Sequence, residues 1–66
     1  MEIVINGQSR GVTEGLTVAE LLEELNLADK HVAVEVNLEL VPHQQHTGRK
    51  LAAGDKLEIV TLVGGG

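Results

Sequence analysis

The chain has 66 residues, enough for one domain with a thin core, because a domain of this size buries only about 60% of the surface that its unfolded chain exposes. It contains no cysteine, which excludes disulfide and thiol chemistry, and no Phe, Trp or Tyr, which excludes aromatic ligand cages and base stacking. The formal net charge of −5 argues against nucleic acids and anionic lipids as partners and favours a basic protein surface.

The N-terminal segment predicts a cytoplasmic protein that begins with a β-hairpin. It shows no export signal, and no stretch of the chain reaches the ~20 apolar residues of a membrane span. Ile3-Val4-Ile5 is a β-branched strand pattern, and Asn6-Gly7 favours a type I′ turn because both residues tolerate positive φ. The return strand, about Gln8 to Thr13, is polar apart from Val12, so we expect it at a sheet edge.

Residues 16–25 carry the strongest local pattern, that of an amphipathic helix. Thr17 and Glu20 have the spacing of a capping box, in which each side chain binds the other residue's free backbone N–H. Leu16 lies where an apolar residue would pack on the first turn as a hydrophobic staple, and Asn26 is the expected end of the helix. The apolar side chains that recur at helical spacing are Val18, Leu21, Leu22 and Leu25.

Two further strand patterns follow the helix. Residues 32–40 alternate in the manner of a half-buried strand, with a turn or bulge predicted at Asn37, and Pro42 ends this pairing because it has no N–H. After a turn signal at Ala53–Lys56, the β-branched segment Leu57–Val63 predicts a central strand.

The resulting element order is β-β-α-β-β. Right-handed crossover then places the first and last strands side by side in parallel. The predicted fold class is α+β, a ubiquitin-like β-grasp in which one α-helix crosses a mixed sheet of four to five strands. The predicted β-grasp domain spans residues 1–63 and is followed by a flexible glycine tail at residues 64–66.

The chain ends in Gly64-Gly65-Gly66, which have no side chains to pack into a core. From Val63 to the carboxylate an extended chain would reach about 13 Å at ~3.3 Å per residue, far enough to enter another protein's active site. Conversion of the Gly66 carboxylate into an acyl-adenylate with ATP would activate it, and attack by a persulfide would then lead to a thiocarboxylate. A frayed terminus without a function is the alternative interpretation.

The whole chain resembles the ThiS-type sulfur carriers of thiamin biosynthesis. The segments that carry the resemblance are Ile3-Val4-Ile5-Asn6-Gly7, Leu16-Thr17-Val18-Ala19-Glu20-Leu21-Leu22, Val32-Ala33-Val34-Glu35-Val36-Asn37, Val41-Pro42, Gly54-Asp55-Lys56-Leu57-Glu58-Ile59-Val60 and the terminal glycines. The resemblance implies that a ThiF-type, E1-like adenylyltransferase uses ATP to adenylate Gly66, that a persulfide donor supplies the sulfur, and that a ThiG-type thiazole synthase consumes it. It also implies a carrier rather than an enzyme, with no catalytic residue and no bound cofactor.

The same resemblance implies roles for the residues that lead to the carboxylate. Gly65 and Gly64 belong to the tail required for activation, with Gly64 lengthening the arm. Thr61, Leu62 and Val63 are expected to bind the partner proteins, although packing in the core or at a sheet edge is an alternative role for Leu62 and Val63.

Other functions stay open from the sequence. Within the same chemistry, the rivals are the small subunit of molybdopterin synthase and the sulfur carriers of tRNA thiolation. From another class, a ubiquitin-like tag or a passive β-grasp binding module would use the sheet surface instead. His31, His43 and His46 are interpreted as surface histidines rather than a metal site, because no cysteine joins them and the loop of His43 and His46 has no carboxylate.

Overall fold

The structure is a computed structural model, and it describes residues 1–62. Its strands are β1 (Glu2–Ile5), β2 (Gln8–Gly11), β3 (Val32–Val36), β4 (Glu39–Leu40) and β5 (Lys56–Thr61). Its helix α1 is Val18–Glu24, and a 3₁₀ turn occupies His43–Gln45. No helix within this part of the chain is long and apolar enough to cross a membrane.

The sheet topology confirms the predicted β-grasp fold. Five strands form one mixed sheet in the order β2-β1-β5-β3-β4, so the last strand is central and β2 lies at an edge. Strands β1 and β5 are parallel neighbours, as the crossover rule predicts. The strand ends differ from the prediction: β2 stops at Gly11 rather than Thr13, and β5 runs from Lys56 to Thr61. Val63, predicted as the last strand residue, lies outside the described residues.

Both ends of α1 are capped by hydrogen bonds. The Oγ1 atom of Thr17 accepts a hydrogen bond from the backbone N–H of Glu20 at 3.1 Å, and the N–H of Thr17 donates to Oε1 of Glu20 at 2.9 Å. The predicted capping box is therefore confirmed. Asn26 ends the helix with a φ of 60°, and the N–H of Leu27 donates to the carbonyl of Leu22 at 2.8 Å, which is the Schellman arrangement.

The helix covers one face of the sheet and forms a single aliphatic core with it. Leu16 and Leu21 are both buried, as the predicted hydrophobic staple requires. The complete set of buried apolar residues among those described is Ile3, Val12, Leu16, Val18, Leu21, Leu22, Val34, Val36, Val41, Leu51, Leu57 and Ile59. These residues form one continuous cluster, which draws on strands β1, β3 and β5 and on helix α1.

The strand predicted over residues 32–40 is divided by a two-residue turn. Asn37 and Leu38 both have positive φ, at 52° and 70°, and β4 returns antiparallel to β3. Two hydrogen bonds hold the turn: Nδ2 of Asn37 donates to Oδ1 of Asp55 at 3.0 Å, and the N–H of Lys56 donates to Oδ1 of Asn37 at 3.0 Å. Asn at such a position is common, but Leu is not, so the sequence pattern concealed the second half of the turn.

His46 is the clearest error of the sequence interpretation, because it is not a surface residue. Its side chain is only 4% exposed, and Nε2 lies 3.0 Å from the carbonyl oxygen of Val41, to which it donates. The carbonyls of His46 and Arg49 accept hydrogen bonds from the N–H groups of Ala19 and Val18 at 2.9 Å each. The buried ring therefore anchors a loop whose carbonyls satisfy the first amides of α1.

Replacement of His46 by Ala should destabilise the fold by about 2–3 kcal/mol, because it leaves a cavity and an unsatisfied carbonyl at Val41. Urea denaturation followed by circular dichroism measures this change. The control is His43→Ala: His43 is exposed, with its ring centroid 5.3 Å from that of His46, and its loss should cost no more than about 0.5 kcal/mol. Equal losses for both variants would show that burial of His46 contributes nothing.

Candidate functional site

The C-terminal strand is held on two sides over most of its length. On one side, the parallel ladder with β1 pairs Val4 with Lys56 and Ile5 with Leu57. On the other side, the antiparallel ladder with β3 extends further and ends with Val32 opposite Thr61. Because β1 stops at Ile5, the last residues of β5 have a backbone neighbour on the β3 side only.

The side chain of Asn6 extends the support that β1 provides. Its Nδ2 atom donates to the carbonyl of Ile59 at 3.0 Å, and the N–H of Ile59 donates to its Oδ1 at 2.8 Å. The backbone N–H of Asn6 donates to the carbonyl of Leu57 at 2.9 Å. Asn6 was predicted only as a turn residue. Its amide group here takes the place of a further strand residue and fixes the strand that leads to the C-terminus.

Replacement of Asn6 by Gly isolates this bridge, because glycine tolerates the observed φ of 49° while it removes both hydrogen bonds. We expect a loss of about 1–2 kcal/mol in the free energy of unfolding. The matched control is Asn26→Gly: Asn26 has a φ of 60°, it lies at the end of α1, and glycine there should change stability by no more than about 0.5 kcal/mol. Thermal and urea unfolding distinguish the two. A neutral Asn6→Gly variant would show that the bridge to β5 is not stabilising.

The backbone N–H and C=O groups of Thr61 and Leu62, the last two described residues, point to opposite sides of β5. The N–H of Leu62 donates to the carbonyl of His31 at 2.8 Å, so residues 31 and 62 form a hydrogen-bonded pair of the β3–β5 ladder. The neighbouring pair, Val32 and Thr61, is then a non-hydrogen-bonded pair. The N–H and C=O of Thr61 therefore point toward the β1 side, beyond the end of β1.

A cleft of about 560 Å³ lies beside this open backbone. Helix α1 has seven residues and is about 10 Å long, while the six residues of β5 extend about 20 Å. The helix therefore leaves the end of the sheet partly uncovered. The cleft is lined by the apolar side chains of Ile5, Leu25, Leu27 and Ile59 and by polar residues that include Asn6, Gln8, Arg10 and Thr61.

A second, smaller cleft of about 340 Å³ lies at Leu62. Its lining includes Asp29, Lys30, His31 and His43, so the fold brings two of the three histidines to one place. Both of these histidines are exposed, as predicted, whereas the third is buried in the loop. Within residues 1–62 no three His, Cys, Asp or Glu side chains are arranged to hold a metal ion.

The sheet face opposite α1 is apolar in part and acidic in part. The β3–β5 register places Ala33 opposite Val60 and Glu35 opposite Glu58, and β4 places Leu40 opposite Glu35. Val60 is 56% exposed and Leu40 is 65% exposed. Two carboxylates directly opposite each other disfavour the folded sheet, and a basic residue of a partner would relieve that repulsion. We call this surface the outer sheet face.

Two of the three predicted partner-binding residues, Thr61 and Leu62, line different clefts. Thr61 lines the larger cleft on the helix side, whereas Leu62, at 52% exposure, lines the smaller one. Leu62 is thus not a core residue. The remaining residues of the predicted site, Val63, Gly64, Gly65 and Gly66, lie outside the described residues.

These features define a β-grasp protein whose central last strand leads to a glycine-only C-terminus. The model of the ThiS family matches residues 3–66, so the chain belongs to the ThiS family. It is 32% identical to the sulfur carrier protein ThiS of Escherichia coli over the full length of both chains. A crystal structure of the thiamine biosynthesis protein ThiS from Geobacter metallireducens superposes with a TM-score of 0.85, at 33% identity and full coverage of both chains.

A relative of a different size gives further information. The chain is 47% identical over its whole length to a protein of Paramagnetospirillum magneticum named thiazole synthase, but it spans only about a fifth, 20%, of that relative. The relative therefore contains a segment similar to this chain together with a much longer remainder.

Proposed function

We propose that this chain is a sulfur carrier for thiamin biosynthesis, and that the carboxylate of Gly66 is the group that carries the sulfur. The observation with the most weight is the family match over residues 3–66, which includes the terminal glycines. The fold supports the proposal because its central strand, held by β3 and by Asn6, ends at Thr61, three residues before the first of those glycines in the sequence. The chain acts as a protein substrate of other enzymes and is not itself a catalyst.

The proposed chemistry begins with a poor electrophile. A carboxylate oxygen of Gly66 attacks the α-phosphorus of ATP, pyrophosphate leaves, and an acyl-adenylate forms. The terminal sulfur of an enzyme persulfide then attacks the glycyl carbonyl, and AMP leaves. A second thiol cleaves the resulting acyl disulfide, so that a thiocarboxylate and an enzyme disulfide are produced. ATP and the sulfur donor are bound by partner enzymes in the cytoplasm, the first by a ThiF-type adenylyltransferase.

Thiazole synthase is the proposed acceptor of the sulfur. The relative named thiazole synthase supports this assignment, since it contains a segment 47% identical to this chain within one polypeptide. The outer sheet face suits such a partner, because its apolar side chains and paired carboxylates complement an apolar surface with basic residues. Tail and sheet face together would fix the orientation of the carrier.

Intact-mass analysis tests the proposal. The chain is incubated with ATP, the adenylyltransferase of the same organism, a cysteine desulfurase and cysteine. We expect one carboxyl oxygen to be replaced by sulfur, with tandem mass spectrometry locating the change at Gly66. Omission of ATP is the control and should leave the mass unchanged. An unchanged mass with an adenylyltransferase that loads another ThiS protein would contradict the proposal.

The rival functions predict different products. A molybdopterin synthase subunit would copurify with the large subunit of that enzyme instead of thiazole synthase, and a carrier for tRNA thiolation would restore thiolated tRNA in a deficient strain. A ubiquitin-like tag would appear linked to lysine side chains of other proteins. A passive binding module would keep its full affinity for its partner without the last two glycines.

A further inference from the structure

The open backbone of Thr61 and the larger cleft adjoin each other at the root of the C-terminal tail. The N–H and C=O of Thr61 point away from β3, and Asn6 already occupies the corresponding groups of Ile59. Among residues 1–62, Thr61 is thus the position of β5 whose N–H and C=O are bound neither by a neighbouring strand nor by the side chain of Asn6. Unpaired strand groups of this kind bind extended segments of other chains.

The lining of the cleft indicates what kind of segment it accepts. Ile5 and Ile59 come from the sheet, and Leu25 and Leu27 come from the segment just after α1; all four are packed against the core or belong to it. The charged residue among those that line the cleft, Arg10, forms a surface ion pair with Glu24, in which Nη2 lies 3.6 Å from Oε1. The cleft therefore suits an uncharged, apolar side chain on an extended backbone, in contrast to the acidic outer sheet face.

We infer that Thr61 and this cleft form a strand-addition site for an extended apolar segment of the protein that receives the tail. The inference rests on the proposed function, because a protein that holds the tail must approach residues 61 and 62 from outside. Backbone hydrogen bonds to Thr61 would position the tail, and an apolar side chain in the cleft would add affinity. Partner contact would then occur on both faces of the sheet, at the cleft on the helix side and at the outer sheet face.

NMR spectroscopy of the labelled chain tests the inference, with the thiazole synthase of the same organism as the probe. On binding, hydrogen exchange of the Thr61 amide should slow, and the methyl signals of Ile5, Ile59 and Leu27 should shift. The methyl signals of Leu40 report separately on the outer sheet face. Shifts at Leu40 without any change at Thr61 or in the cleft would overturn the inference and leave the proposed function intact.

Substitution of Thr61 gives a second readout. Thr61→Pro removes an N–H that pairs with no neighbouring strand, so the fold should persist while the affinity for thiazole synthase falls by about tenfold. Thr61→Val keeps the N–H and the branched side chain and should bind within about twofold of the unchanged chain. Equal affinities of both variants would overturn the inference.

Two other results would be equally decisive. If the methyl signals of the cleft shift when the concentration of the carrier is raised without thiazole synthase, the occupant is a second copy of the chain. That result would overturn the inference. Absence of any binding to thiazole synthase, together with absence of thiocarboxylate formation, would remove both the inference and the proposed function.

Discussion

Deletion of Gly65 and Gly66 is expected to abolish thiocarboxylate formation completely while the fold persists. The acyl group that reacts would be lost, and the new terminus would be too short to reach the same reactive centre. Stability should be unchanged, because all of the buried apolar residues that we describe lie between Ile3 and Ile59. Mass spectrometry measures the loading, and the midpoint of thermal unfolding measures the fold.

The control for this deletion is Gly48→Ala, a glycine substitution outside the tail. A Cβ atom at Gly48 would meet nothing closer than the carbonyl oxygen of Gln45 at 4.0 Å, so folding and loading should both be normal. Normal sulfur loading of the shortened chain would refute the assignment of Gly66. A large drop in the unfolding temperature would show that the two glycines contribute to the folded domain.

Replacement of Leu21 by Ala should have the largest effect on stability. Leu21 is fully buried at the centre of the helix–sheet interface, and the loss of such a side chain costs about 2–5 kcal/mol. A domain of 66 residues has only about 3–10 kcal/mol in total, so this loss would remove a large part of its free energy of unfolding. Urea denaturation and the dispersion of amide signals in NMR spectra measure the change.

The same substitution at an exposed leucine is the matched control. Leu38 is 88% exposed in the turn between β3 and β4, where it buries almost no surface. Leu38→Ala should therefore change the free energy of unfolding by no more than about 0.5 kcal/mol. Comparable losses at the two positions would mean that the helix does not pack on the sheet as described.

Most of the fold could be predicted from the sequence because it depends on interactions between residues that are close together in the chain. The capping box of Thr17 and Glu20 joins residues three apart, and Asn26 ends the helix through bonds to the preceding turn. The β-branched runs and the Asn-Gly turn placed the first hairpin, β-branched composition predicted a central last strand, and the handedness of the crossover placed β5 parallel to β1. The residues proposed to carry the chemistry, the terminal glycines, were predicted from their position at the end of the sequence and from the resemblance to the ThiS-type carriers.

The tertiary structure decided features that join distant parts of the chain. Asn6 and Ile59 are 53 residues apart, and no local pattern shows that a turn residue will pair with the last strand. His46 has the polar neighbours of a surface loop, but it is buried because its loop lies against the start of α1. Thr61 and Leu62 are adjacent in sequence, yet strand alternation assigns them to different clefts. Periodicity and capping act within a few residues, whereas pairing partners and burial depend on which segments the folded sheet brings together.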